Sequence, residues 1–205
     1  GLTSYPAARC VRILNPLSAD LNVMRQTLLF NTMEAVQLNA NRRNGNLRLY
    51  EFGNCYFYDE AARDAEKPLS AYSEQYRLAI AVTGAAVPQS WNAKPQASSF
   101  FTLRAVAEKL LRRFGLDIYA LKCEPLQSDL FGDGISLSAG NGRELLQMGV
   151  VAPRIRRAFD LKQEVYYLEM NFDALVKSTR KHRIAFEELS KFPEVKRDLA
   201  LLVDR

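Results

Sequence analysis

The sequence is poor in the residues that most often carry chemistry. It has one histidine and one tryptophan in 205 residues, three cysteines, and no apolar run approaching the ~20 residues needed to span a bilayer. The lone histidine, His182, sits in the basic run STRKHR, where surrounding positive charge disfavours its protonation and no adjacent carboxylate orients it. A serine or cysteine hydrolase built on a histidine base is thereby excluded. Cys10, Cys55 and Cys123 lie tens of residues apart, which fits neither a disulfide framework nor zinc-ligand spacing, so they read as reduced core or strand residues and no metal is assigned. The opening GLTSYPAARC lacks the apolar core of a signal peptide, and a cytoplasmic location without membrane contact is expected. The net charge of +5 is modest; it permits a nucleic-acid partner without demanding one.

What is present is an ordinary globular balance of 48% apolar and 25% charged residues. A helix is expected after Asn31, with Glu34 completing a capping box, Met33, Val36 and Ala40 on its apolar stripe, Arg42 and Arg43 in its last turn, and Asn44-Gly45 as its stop. A second carries Phe100, Leu103, Val106, Leu110, Leu111 and Phe114 on one side and ends at Gly115. YRLAIAVTG, LLQMGVV, EVYYLEMN and RDLALLVD read as strands. Asn141-Gly142 marks an antiparallel hairpin, and residues 85 to 99 have loop composition. The fold class is α+β with a mostly antiparallel sheet flanked by helices.

Four segments, VRILNPLSADLNVMRQTLL, LRLYEFGNCYFYD, SSFFTLRAVAEKLLRRFGL and LSKFPEVKRDLALLVD, occur in this order across nearly the whole chain. Together they resemble the C-terminal portion of the phenylalanyl-tRNA synthetase beta subunit family. Each is weak alone, since NPLS by itself is only a turn followed by a cap-former; the order and spacing carry the match. The resemblance implies a class II aminoacyl-tRNA synthetase-like core over residues 1–190. Residues 191–205 would then open a truncated ferredoxin-like anticodon-binding domain, with Leu199, Leu201 and Val203 on a strand lacking its sheet partners.

In class II synthetases the strand resembling LRLYEFGNCYFYD ends in an arginine that holds the ATP α-phosphate through its guanidinium fork. Here Phe57 and Tyr58 stand in its place. A late GxGxGxxR strand and helix is also missing: Gly132-Asp133-Gly134 and Gly140-Asn141-Gly142 precede strand-like residues and read as hairpin turns, while Gly149 to Pro153 resembles the beta subunit's own late strand. The resemblance therefore implies no catalytic residue, cofactor or metal in this chain. ATP and magnesium would be used by the complete ligase, whose catalytic alpha subunit pairs with beta in an alpha2-beta2 heterotetramer that charges tRNA for phenylalanine.

It also implies support of the subunit interface by Asn15, Pro16, Arg25 and Met33; for Arg25 a purely local ion pair or carbonyl contact is the competing reading. Arg180, Lys181 and Arg183 are candidate RNA contacts against a solvated linker, and Arg154, Arg156 and Arg157 form a cluster read first as a solvated face and second as a subunit contact. Trp91 reads as a packing anchor. Two other classes compete: an active class II or biotin-ligase-like enzyme, which would bind ATP saturably, and a free-standing RNA-binding module.

Overall fold

The structure, a computed structural model, describes residues 5–18, 21–180, 191–192 and 195–200. Its frame is a six-stranded sheet in which every neighbouring pair is antiparallel: β1 (Leu47–Tyr58), β2 (Tyr72–Thr83), β8 (Val165–Asn171), β7 (Glu144–Val151), β6 (Phe131–Ser138) and β5 (Lys122–Pro125), in that spatial order. The 85–99 region, expected as loop, contains a small separate pair, β3 (Ala85–Val87) and β4 (Gln96–Ala97). Among the described residues four α-helices, α1 (Leu29–Asn41), α2 (Phe100–Arg113), α3 (Pro153–Ala158) and α4 (Phe172–Thr179), complete it.

The strands divide their side chains between two cores, because successive residues point to opposite faces. On one face α1 and α3 cover Leu47, Cys55, Ala79, Ala81, Val151, Val165 and Tyr167. On the other, α2 packs Leu103, Ala107 and Leu111 against Leu78, Val82, Leu146, Met148, Leu168 and Met170. The stripe expected for α2 is the one buried, except that Val106 is 37% exposed and Ala107 takes its place inside. Ser99 caps this helix by accepting from the Thr102 N–H, with Thr102 returning its hydroxyl to the Ser99 N–H, and Gly115 ends it at φ 76.

Helix α1 differs from its expected limits. It begins at Leu29, because the Thr27 hydroxyl accepts the Leu29 N–H at 3.1 Å and Leu28 and Leu29 are wholly buried. Asn31 lies inside the first turn, exposed, and makes no cap. The stop also comes earlier than Gly45: Arg43 takes φ 64 and the Asn44 N–H returns to the Asn39 carbonyl at 3.0 Å, so Arg42 and Arg43 follow the helix.

The two glycine pairs separate. Gly140 to Gly142 form the β6–β7 turn, with Gly142 at φ 77. Gly132 to Gly134 lie within β6, where the register shifts between Phe131 and Asp133, so the expected hairpin turn there is a bulged strand. At that bulge the strands approach closely: a Cβ on Gly149 would stand 2.2 Å from the Asp133 carbonyl oxygen.

Toward the C-terminus, residues 195–200 form no strand, and Leu199 is 82% exposed. Leu201, Val203 and the proposed boundary at residue 190 lie outside the described residues.

Candidate functional site

The strand with the missing arginine is β1, and its ending is now placed. Phe57 points to the face covered by α1. Tyr58 points to the opposite face, where its ring stands 5.2 Å from Tyr72 and its hydroxyl donates to Glu60. A guanidinium does stand beside Phe57, 5.1 Å from its ring centroid, but it is supplied by Arg77 of β2.

Arg77 sits on the α1 face because it is register-paired with Gly53 of β1 and Asn171 of β8, and directly paired residues share a face. Its Nη1 meets the Glu169 carboxylate at 2.6 Å, and its Nε and Nη2 donate to Gln75 Oε1 at 3.3 and 2.8 Å. Nη1 also reaches the Tyr5 hydroxyl at 3.4 Å. The other Glu169 oxygen accepts from the Thr27 hydroxyl at 2.5 Å and the Tyr167 hydroxyl at 2.7 Å. The Arg77 and Glu169 side chains are only 17% and 9% exposed.

Burial dominates the electrostatics. It pushes the Tyr5 hydroxyl and the Cys55 thiol each up to about 12, with the Glu169 charge adding in the same direction, and raises Tyr167 well above its usual value. For Arg77 burial is the largest effect and works downward, but the Glu169 carboxylate, Tyr5 and Cys55, all acting in the opposite direction, together more than offset it and the guanidinium stays charged. Beside this cluster lies a cavity of about 280 Å³, lined by Tyr5, Gln75, Arg77, Tyr167, Glu169 and Asn171 among others. Its one guanidinium is already neutralised, so a polyphosphate entering here would have to displace a carboxylate that three donors hold. Among the described residues no group of three or more histidine, cysteine, aspartate or glutamate side chains stands close enough to hold a metal ion.

The expected interface residues fall in three places. Residues 10–18 and 21–24 form an arm in which Arg12 bridges Val23, the Ile13 N–H donates to the Asn22 carbonyl and the Met24 N–H to the Val11 carbonyl. Asn15 and Pro16 are exposed at its outer end, flanked by Leu14 at 92% and Leu17 at 100% exposure. Its base is pinned by Gln26, which donates to the Arg9 carbonyl at 3.0 Å and accepts from the Cys10 thiol.

Arg25 lies along the outer edge of β1. Its carbonyl accepts the Tyr56 N–H at 2.9 Å, its Nε donates to the Asn54 carbonyl at 3.0 Å, and its Nη1 pairs with Glu51 at 2.7 Å. Gly53 makes room for it, since a Cβ there would stand 2.1 Å from Arg25 Nη2. The local reading of Arg25 therefore describes its contacts in this chain. Met33 is wholly buried beneath α1 and touches no surface.

Arg180 is exposed at the end of α4, while Lys181, His182 and Arg183 lie outside the described residues. Trp91 is 96% exposed, so the packing-anchor expectation fails: the turn closed by the Ser90 N–H on the Ala93 carbonyl projects it into solvent. Arg154 pairs with Asp129 at 2.8 Å, whereas Arg156 and Arg157 form no ion pair among the described residues.

Sequence reasoning missed Arg77, Glu169, Thr27 and Tyr5. A signal existed: Arg77 and Glu169 each interrupt an apolar strand, YRLAIAVTG and EVYYLEMN, and charges in such runs are almost never buried without a partner.

This sheet, with its helices on both faces, is the class II tRNA synthetase fold. Two structures of pyrrolysyl-tRNA synthetase from Desulfitobacterium hafniense each match it with a TM-score of 0.57 at 15% identity, over 82% of this chain and 52% of theirs. More narrowly, the chain belongs to the phenylalanyl tRNA synthetase beta chain CLM domain family, whose model matches residues 2–172. Over its full length it is 46% identical to the phenylalanine-tRNA ligase beta subunit of Bacteroides thetaiotaomicron and 38% identical to that of Porphyromonas gingivalis. The chain spans about a quarter of the length of these curated relatives.

Proposed function

We propose that this chain is a non-catalytic, architectural domain of a phenylalanine-tRNA ligase beta subunit, holding the catalytic alpha subunit in an alpha2-beta2 assembly. The complete cytoplasmic enzyme uses ATP and magnesium to join phenylalanine to its tRNA, and that chemistry belongs to the partner chain. Asn15, Pro16 and Arg25, with Met33 seating α1 from beneath, support the interface, and Arg180, Lys181 and Arg183 are its RNA-facing residues on this reading.

The observation that carries the proposal is the arm. Ile13, Leu14, Leu17, Leu21 and Val23 are all exposed on one short segment whose base is hydrogen-bonded to the body of the domain. A cluster of large apolar side chains offered to water in this way marks an interaction site. The Arg77–Glu169 pair supports the non-catalytic half, because it occupies the face on which a synthetase would need free positive charge.

Co-expression with a bacterial alpha subunit and sizing of the product tests this reading. A stable complex is expected with the parent chain. The double variant Leu14→Glu/Leu17→Glu should dissociate from alpha while melting at the parent temperature. A complex unaffected by both charges would overturn the assignment of the arm, and saturable ATP binding by the chain alone would overturn the non-catalytic reading.

A further inference from the structure

A second surface, distinct from the arm, carries charge in place of apolar side chains. Residues after α1 and the segment from α3 to β8 meet at one end of the sheet: Gln163 Nε2 donates to the Gly45 carbonyl at 3.0 Å, and Arg156 Nη1 donates to the Gln163 carbonyl at 3.2 Å. This junction brings Arg42 and Arg43 from one segment to the same end as Arg156, Arg157 and Lys162 from the other. None of the five forms an ion pair among the described residues, although five of the protein's other cationic side chains do so on the exposed or half-exposed surface. Arg42, Arg43, Arg157 and Lys162 are exposed.

Beside the junction is an open pocket of about 480 Å³ lined by Pro153, Arg156, Arg157, Asp160, Leu161 and Lys162. The Nε of Arg156 is buried there without a hydrogen-bond partner among the described residues. That Nε is closed to solvent, so an oxyanion outside can meet Arg156 only through the rest of its guanidinium. Two carboxylates are nearby. Asp160 lines the same pocket, and Glu164 already accepts from the Tyr166 hydroxyl at 2.5 Å. Five cations against these two leave an excess of three positive charges.

We propose that this end of the domain, formed by Arg42, Arg43, Arg156, Arg157 and Lys162, is a docking surface for the phosphate backbone of RNA. The choice of RNA over another polyanion rests on the reading of the chain as part of a tRNA ligase. The chemistry is that of positioning without base readout: guanidinium and ammonium groups contact phosphates, and sequence is read elsewhere. Arg156 would supply the fixed, half-buried contact, and the four exposed side chains would spread charge along the backbone.

The test is a fluorescence-anisotropy titration of a labelled tRNA transcript for phenylalanine with the 205-residue chain over a range of salt. Each phosphate contact adds about 0.7 to 0.9 to the slope of log affinity against log salt. Arg157→Glu/Lys162→Glu should lower that slope by about 1.4 to 1.8, which removes roughly a tenfold part of the affinity loss across a fourfold rise in salt. Lys109→Glu/Arg113→Glu on α2 changes net charge equally and should leave the slope unaltered.

Should the first variant melt below the parent, Arg157→Ala/Lys162→Ala removes the same contacts without adding charge and carries the same expected slope change. Equal effects of the α2 and α3–β8 variants, an unchanged slope, or no RNA binding by the parent chain would each overturn the proposal. Sizing of the complex with the alpha subunit, which these substitutions should leave intact, separates that outcome from failure of the architectural reading.

Discussion

Replacing Glu169 by glutamine tests the electrostatic core most directly. The substitution keeps the shape of the side chain and removes the charge that Arg77 faces at 2.6 Å in a site where the two side chains are 17% and 9% exposed. Breaking one partner of a buried ion pair leaves an uncompensated charge and costs about 3–5 kcal/mol. The glutamine oxygen can still accept from Thr27 or Tyr167, but its amide group must then turn toward the guanidinium, so the lower part of that range is a floor. For a domain of this size the loss corresponds to a fall in Tm of roughly 10 °C. Urea unfolding followed by circular dichroism should show the midpoint moving with an unchanged denaturant slope. Arg77→Met/Glu169→Gln should recover at least half the loss, because no charge then remains buried alone. If the double variant loses the sum of the two single losses to within about 0.5 kcal/mol, the pair is not coupled and the reasoning is refuted.

Alkaline pH should act on the same cluster. The folded-state pKa values of Cys55 and Tyr5 are raised to about 12, so these acids hold their protons in the fold after the unfolded chain has released them. Their stabilisation is complete below the unfolded values and is lost as pH rises toward 12, at about 1.4 kcal/mol per pH unit for each group in its window. Cys55→Ala should flatten the fall in Tm between pH 9 and 10, where the thiol is the first of them to ionise on unfolding. Gly53→Ala forces a Cβ to within 2.1 Å of Arg25 Nη2 and 3.1 Å of Leu28 Cδ2. The guanidinium must leave Asn54 and Glu51, and about 1–3 kcal/mol should be lost in thermal unfolding. Arg25→Ala should weaken association with alpha, read by sizing, without unfolding the domain; an unchanged assembly constant would leave Arg25 a purely local contact. Ser99→Ala removes the acceptor for the Thr102 N–H and should cost about 1 kcal/mol in the same melts.

The sheet was legible where local and global requirements coincide. β1 was legible through the resemblance of LRLYEFGNCYFYD to a synthetase strand, and α2 because one apolar stripe and a terminal glycine agree. The start of α1 misled because Asn31 and Glu34 satisfy a local rule, whereas the burial of Leu28 and Leu29 and the hydroxyl of Thr27 begin the helix earlier. The absence of an arginine at Phe57 and Tyr58 was plain in the sequence. That a guanidinium reaches the same face from β2 was not, because it depends on the register pairing Gly53 with Arg77. The basic end was hidden for a similar reason: Arg42 and Arg157 are more than a hundred residues apart, and the Gln163–Gly45 hydrogen bond joins their segments only in the folded chain.

The Arg77–Glu169 pair also bears on what this fold can become. Restoring an arginine at Phe57 would set a second guanidinium about 5 Å from the first, while the one carboxylate, Glu169 on β8, lies on the far side of Arg77. At an effective dielectric near 20 their repulsion is about 3 kcal/mol, before the cost of stripping water from the newcomer. Removing Arg77 first strands Glu169, and removing Glu169 first strands Arg77. Every single step toward a phosphate-binding face thus passes through a less stable protein. The domain is held at its present chemistry by a stability barrier that only concerted replacement of residues on β1, β2 and β8 would cross.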